Sequence, residues 1–100
     1  MPDIEGGNKK VRVVIHIPQF LQHIADDVKV AHVKGRTVGE CLRDLVSQFP
    51  QLEALLFNRR GKLLKHLDVF INRESAYPEE LAKPVSEGDE LHIMKAIVGG

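Results

Sequence analysis

The chain has 100 residues, 43% hydrophobic and 28% charged, which is enough for one compact domain with a single core and too few for two domains. Its 14 basic and 14 acidic side chains cancel, so it lacks the electrostatic footprint of a nucleic-acid or membrane-surface binder, and proteins are the expected partners. A single cysteine, Cys41, rules out an intramolecular disulfide framework. With no basic n-region before the first apolar run and no run of membrane-spanning length, a cytoplasmic location is expected.

Residues 1–10 are polar and read as a loosely attached arm ahead of a domain over residues 11–96. Val11 to Ile17 alternates, placing Val11, Val13, Ile15 and Ile17 on one face and Arg12, Val14 and His16 on the other, the pattern of a half-buried strand. Pro18 to Asp27 reads as a loop whose Phe20, Leu21 and Ile24 bring it back onto the domain. Val28 to Lys34 is rich in β-formers and forms a second strand, with Ala31 and Val33 turned inward. Thr37-Val38-Gly39-Glu40 is a capping box, so a helix begins at Val38. Val38, Cys41, Leu42, Leu45, Val46 and Phe49 form one stripe at helical spacing, which has to lie on a sheet, and Pro50 ends the helix.

Gln51 to Phe57 reads as a short second helix or turn, broken at Asn58-Arg59-Arg60-Gly61, and Lys62 to Lys65 as a short edge strand. His66 to Asn72 alternates Leu67, Val69 and Ile71 with Asp68 and Phe70, a further strand. Tyr77 to Ala82 connects, Val85 to Glu90 turns through Gly88, and Glu90 to Lys95 is the last strand. Two early strands, one main helix and a late strand suit an α+β, β-grasp (ubiquitin-like) fold. Its mixed sheet has four to five strands, with the first and last side by side in parallel and the main helix packed on one face. If Val11, Val13, Ile15, Leu91 and Ile93 face the helix, then Val14, His16, Phe70, His92 and Met94 form an uncovered patch, a candidate partner-binding surface.

The last strand leads into Ile97-Val98-Gly99-Gly100. Two consecutive glycines let a chain end lie extended in a slot too narrow for side chains. The Gly100 carboxylate is then the reactive group, and because it is ionised at neutral pH it needs activation from elsewhere.

From Val11 to Gly100 the chain resembles the bacterial and archaeal sulfur-carrier proteins. The matching segments are the opening strand into Ile17-Pro18, Gly35-Arg36-Thr37-Val38, Val69-Phe70-Ile71-Asn72 with Arg73-Glu74, Glu87-Gly88-Asp89-Glu90, and the terminal Gly99-Gly100. The family includes the small subunit of molybdopterin synthase, the thiazole-forming carrier and the carrier of cysteine biosynthesis. The resemblance implies a co-substrate rather than an enzyme. A ubiquitin-activating-type adenylating enzyme would use ATP to adenylate Gly100, and sulfur would then convert it to a thiocarboxylate. Ile97, Val98 and Gly99 would present the tail, and no cofactor would be bound by the chain itself. The acceptor implied is a pyridoxal-phosphate cysteine synthase, slightly preferred, or the molybdopterin synthase large subunit. The alternative is a ubiquitin-like modifier joined through Gly100 to target lysines.

Other residues read more simply. Cys41 lies on the buried stripe and is expected to be an inert core thiol. The histidines at 16, 23, 32, 66 and 92 lack zinc-finger or H-x-x-x-H spacing, so no metal site is expected. Arg59 and Arg60 with Lys62 and Lys65 make a solvated turn. Nucleotide-binding, dehydrogenase, hydrolase and zinc-protease motifs do not occur.

Overall fold

The computed structural model describes residues 10–96. The arm, apart from Lys10, and the tail residues Ile97, Val98, Gly99 and Gly100 lie outside the described residues. In chain order the elements are β1 (Val11–His16), α1 (Gln19–Gln22), β2 (Val30–Gly35), α2 (Val38–Gln48), α3 (Glu53–Leu56), β3 (Leu67–Ile71), β4 (Glu74–Ser75) and β5 (Glu90–Lys95). Single 3-10 turns at His23–Ala25, Pro50–Leu52 and Glu80–Ala82 join them.

The strands form one five-stranded sheet in the order β2-β1-β5-β3-β4. β1 and β5 are parallel, with Ile15 opposite Leu91, and the other pairings are antiparallel. This is the expected β-grasp arrangement, and the central parallel pair joins the two ends of the domain.

Strand alternation sends Val13 and Ile15, Ala31 and Val33, Leu67, Val69 and Ile71, and Leu91 and Ile93 to one face, all buried. Helix α2 covers that face with Val38, Cys41, Leu42, Leu45 and Val46, each also buried, and Phe49 packs partly buried at its end. Leu52, Leu56, Phe57 and Leu63 close the core beyond the helix. Among the described residues no polar or charged side chain is buried, so hydrophobic burial carries the fold without the desolvation cost of interior polar groups.

The helix start follows the capping box with one adjustment. Glu40 N–H donates to Thr37 Oγ1 at 3.2 Å, while the Glu40 carboxylate reaches past the cap to accept from Arg36 N–H at 2.8 Å and Arg36 Nε at 3.2 Å. Gly39 lets this first turn meet the Glu80–Ala82 turn closely: a Cβ there would stand 3.0 Å from the Leu81 carbonyl oxygen.

Three expectations are corrected. The segment from Pro18 to Asp27 is α1 followed by a 3-10 turn rather than a loop. Leu21 and Ala25, four residues apart, are both buried, so the short helical stretch is held by the core rather than by its own length. The second strand runs Val30–Gly35, beginning two residues later than its β-formers suggest, because Asp26 and Asp27 sit at φ 55 and 63 in the left-handed region and Val28 N–H turns back to the Ala25 carbonyl. The fifth strand is β4, not Lys62–Lys65, which makes only the isolated bridge of Leu63 with Phe57. There Asn58 Oδ1 accepts from both Arg60 N–H and Lys62 N–H, and Gly61 takes φ 77, so the chain closes a tight turn over the core instead of extending.

Candidate functional site: the open sheet face and the root of the tail

The face of the sheet away from α2 carries Val14, His16, Phe70, His92 and Met94, as alternation predicts. The pairings set Val30, His16, His92, Phe70 and Ser75 in one row across all five strands. Val30 is 41% and Met94 45% exposed, and Val14, His16, Phe70 and His92 are half-buried. Four apolar side chains thus stay in contact with water on a face that no helix among the described residues covers, an arrangement that favours burial against another surface. The five expected residues do not form one tight cluster. Val14 lies level with Glu90, one row before the histidines, and Met94 lies level with Asp68, one row beyond them.

The histidines sit on the parallel seam of β1 and β5. Their rings stack with centroids 4.2 Å apart and planes at 0°. His16 Nε2–H donates to Glu90 Oε1 at 3.0 Å, an ion pair when the imidazole is protonated. Partial burial, and then the neighbouring His16, hold His92 below the ordinary histidine range, with Glu90 opposing them. Glu90 reads from sequence only as a strand-start residue. Its role here follows from its position two residues before His92 on the same face, which becomes informative once β5 is paired with β1.

The strand stays anchored up to the start of the tail. Lys95 pairs with Leu67, and Ala96 N–H donates to the His66 carbonyl at 2.8 Å. Lys95 Nζ lies 4.9 Å above the centre of the Phe20 ring, which ties α1 to the end of β5 by a cation–π contact. A shallow groove of ≈ 520 Å³, lined in part by Asp68, Phe70, Tyr77, Met94 and Ala96, joins the open face to this root. The site can therefore grip a partner with apolar and imidazole groups while holding the base of a chain end beside it. Gly100, with Ile97, Val98 and Gly99, lies outside the described residues.

A family model described as the ThiS family matches residues 15–100. Small archaeal modifier protein 1 of Haloferax volcanii is 38% identical over 64 residues, which is 64% of this chain and 70% of that protein. Sulfur carrier protein CysO of Mycobacterium tuberculosis is 26% identical over 93 residues, covering 90% of this chain and all of that protein. Among solved structures, a chain of the Amycolatopsis orientalis BexX/CysO complex superposes with a TM-score of 0.78 at 31% identity, over 88% of this chain and 99% of that one.

Proposed function

This chain belongs to the ThiS family, and from that premise we propose that it is a sulfur carrier whose Gly100 carboxylate is charged as a thiocarboxylate. A partner adenylating enzyme docks on the open sheet face and takes in Ile97, Val98, Gly99 and Gly100. Inside it the Gly100 carboxylate oxygen attacks the α-phosphate of ATP and pyrophosphate leaves, giving an acyl adenylate. Hydrosulfide then attacks the acyl carbon and displaces AMP, which leaves with the adenylate's phosphate oxygen. The resulting thiocarboxylate passes its sulfur to an acceptor on a synthase, a pyridoxal-phosphate cysteine synthase in preference to the molybdopterin synthase large subunit. This chain supplies no general acid or base; it is a co-substrate, and its contribution is recognition and presentation.

The observation that carries the reading is the Gly99-Gly100 pair in the sequence, three and four residues after Ala96, where a strand that borders an apolar face left open by the described residues is anchored. The full-length likeness to CysO supports it, as does the likeness to a chain of the BexX/CysO complex, which makes association with a protein partner a natural extension. Incubation with ATP, a cognate adenylating enzyme and sulfide should yield, by intact-protein mass spectrometry, a species heavier by the difference between sulfur and oxygen. Deletion of Gly100 should abolish that species. A deletion variant that is still converted would end the proposal.

A second reading is favoured by the 38% identity to a protein named as a modifier. Here the same adenylate is captured by a lysine of a target, giving an isopeptide instead of a thiocarboxylate. A Gly-Gly remnant on lysines of cellular proteins, lost when Gly100 is deleted, identifies this outcome.

A further inference from the structure

Among the described residues, His16, Glu90 and His92 are the only three metal-ligand side chains brought together, with their ligand atoms within 4.8 Å of one another. They come from two strands whose register is fixed by backbone hydrogen bonds: His16 lies opposite His92, and Glu90 stands two residues before His92 on the same face. We propose that this triad is a binding site for one divalent transition-metal ion of the zinc class, with two imidazole ligands and one carboxylate.

The donor set fits that class. Imidazole nitrogen with one carboxylate suits Zn²⁺ and its neighbours, whereas Mg²⁺ and Ca²⁺ favour all-oxygen shells. The single negative charge of Glu90 offsets part of the ion's charge. The triad already contains a hydrogen bond between two of its members, His16 Nε2–H to Glu90 Oε1 at 3.0 Å. Metal would replace that proton, as a cation held by the same pair.

The geometry needs only a local adjustment. Two ligands about 2.0–2.1 Å from a tetrahedral zinc lie about 3.3 Å apart, so a group spread over at most 4.8 Å closes by side-chain rotation alone. Room for that rotation is present, since the side chains of His16 and Glu90 are 36% and 55% exposed. The stacked rings, with centroids 4.2 Å apart, would have to tilt so that their nitrogens converge on the ion. Three protein ligands leave a coordination position that faces out of the sheet, open to water.

The site is independent of the tail, so its test does not touch the proposed function. Titration of tag-free full-length protein with ZnCl₂ in chelator-free buffer at pH 7.5, followed by calorimetry, should show about one equivalent bound with a Kd of about 10 μM or tighter. His16→Gln, His92→Gln and Glu90→Gln should each weaken binding at least about tenfold, while His23→Gln and His66→Gln leave it unchanged. Co²⁺ in place of zinc should give the visible absorption of a four- or five-coordinate nitrogen–oxygen site, lost in the same three variants. Circular dichroism checks that each variant is folded, and Glu90→Gln, an exposed isosteric change, keeps the test valid if a histidine variant unfolds. A native Kd weaker than about 10 μM, or binding that survives in the triad variants or is lost in the His23 or His66 variants, overturns the site.

Discussion

At the scale of single residues, Gly35 and Cys41 hold each other in place. A Cβ at Gly35 would lie 2.8 Å from the Cys41 amide nitrogen, 2.9 Å from Glu40 Cβ and 3.0 Å from Cys41 Sγ, so neither helix nor strand can give way cheaply. Gly35→Ala should lower unfolding free energy by about 1–3 kcal/mol, read from the urea midpoint at unchanged m-value. The Cys41 thiol is fully buried, and burial, followed by the carboxylates of Asp44, Glu40 and Asp89, pushes it from an ordinary 9.0 up to about 11. It should therefore resist thiol-modifying reagents at pH 8 in the native protein and react once the chain is unfolded. The sign of the pH dependence follows. The neutral thiol is favoured by the fold, so its contribution is complete below pH 9.0 and is lost as pH rises toward 11. Cys41→Ala should flatten that alkaline decline in thermal midpoint. The buried place of Cys41 was legible in the helical stripe, because periodicity reports which face a residue occupies. The need for glycine at 35 was not, since it arises from the approach of two elements that lie side by side only after folding.

At the scale of elements, the link from β3 to β4 shows how a polar side chain fixes a junction. Asn72 takes φ 58, and its side chain accepts from Glu90 N–H at 3.1 Å and donates to Asp89 Oδ1 at 3.2 Å, while its own N–H bonds to the Glu90 carbonyl at 2.7 Å. The turn after β3 is thereby stitched to the start of β5. Asn72→Ala should cost about 1–2 kcal/mol through the left-handed backbone and the lost hydrogen bonds. Asn72→Gly should recover the backbone part only, which thermal unfolding of the pair would separate. Elements with long periodic runs, β1, α2, β3 and β5, could be placed from the alternation or helical spacing of their apolar residues. Those that could not be placed are short. The four-residue α1 and two-residue β4 span too few positions for a period to appear and exist because neighbouring strands and the core supply their partners. Lys62–Lys65 failed in the opposite sense: a strand was expected there, but the segment holds no β-branched or aromatic residue and the Asn58 turn leaves Leu63 with only an isolated bridge to Phe57.

At the scale of the whole molecule, the parallel seam of β1 and β5 organises both the candidate docking face and the triad upon it. Much of this was legible: the order of strands put the first beside the last, and alternation then selected Val14, His16, Phe70, His92 and Met94. Glu90 escaped notice because its importance depends on the register between strands 74 residues apart in sequence from His16, which local pattern does not specify. If the open face receives the adenylating enzyme, Phe70→Glu and Met94→Glu should each slow thiocarboxylate formation by about tenfold or more, since a carboxylate would be desolvated at the contact. Because Met94 is 45% exposed and Phe70 half-buried, thermal midpoints should change little. Native loading rates in both variants would show that the partner docks elsewhere.

The same seam sets where a handle can be attached. Val14 is level with Glu90, so the start of β1 and the end of β5 are displaced along one axis by eight strand positions, about 26 Å at about 3.3 Å per residue. A fluorophore, bead or fusion partner joined ahead of Val11 therefore sits at the pole opposite Lys95. Immobilised in that orientation, the protein turns its imidazole row sideways and the Lys95 end of β5 outward, which is the presentation a surface-binding assay would require.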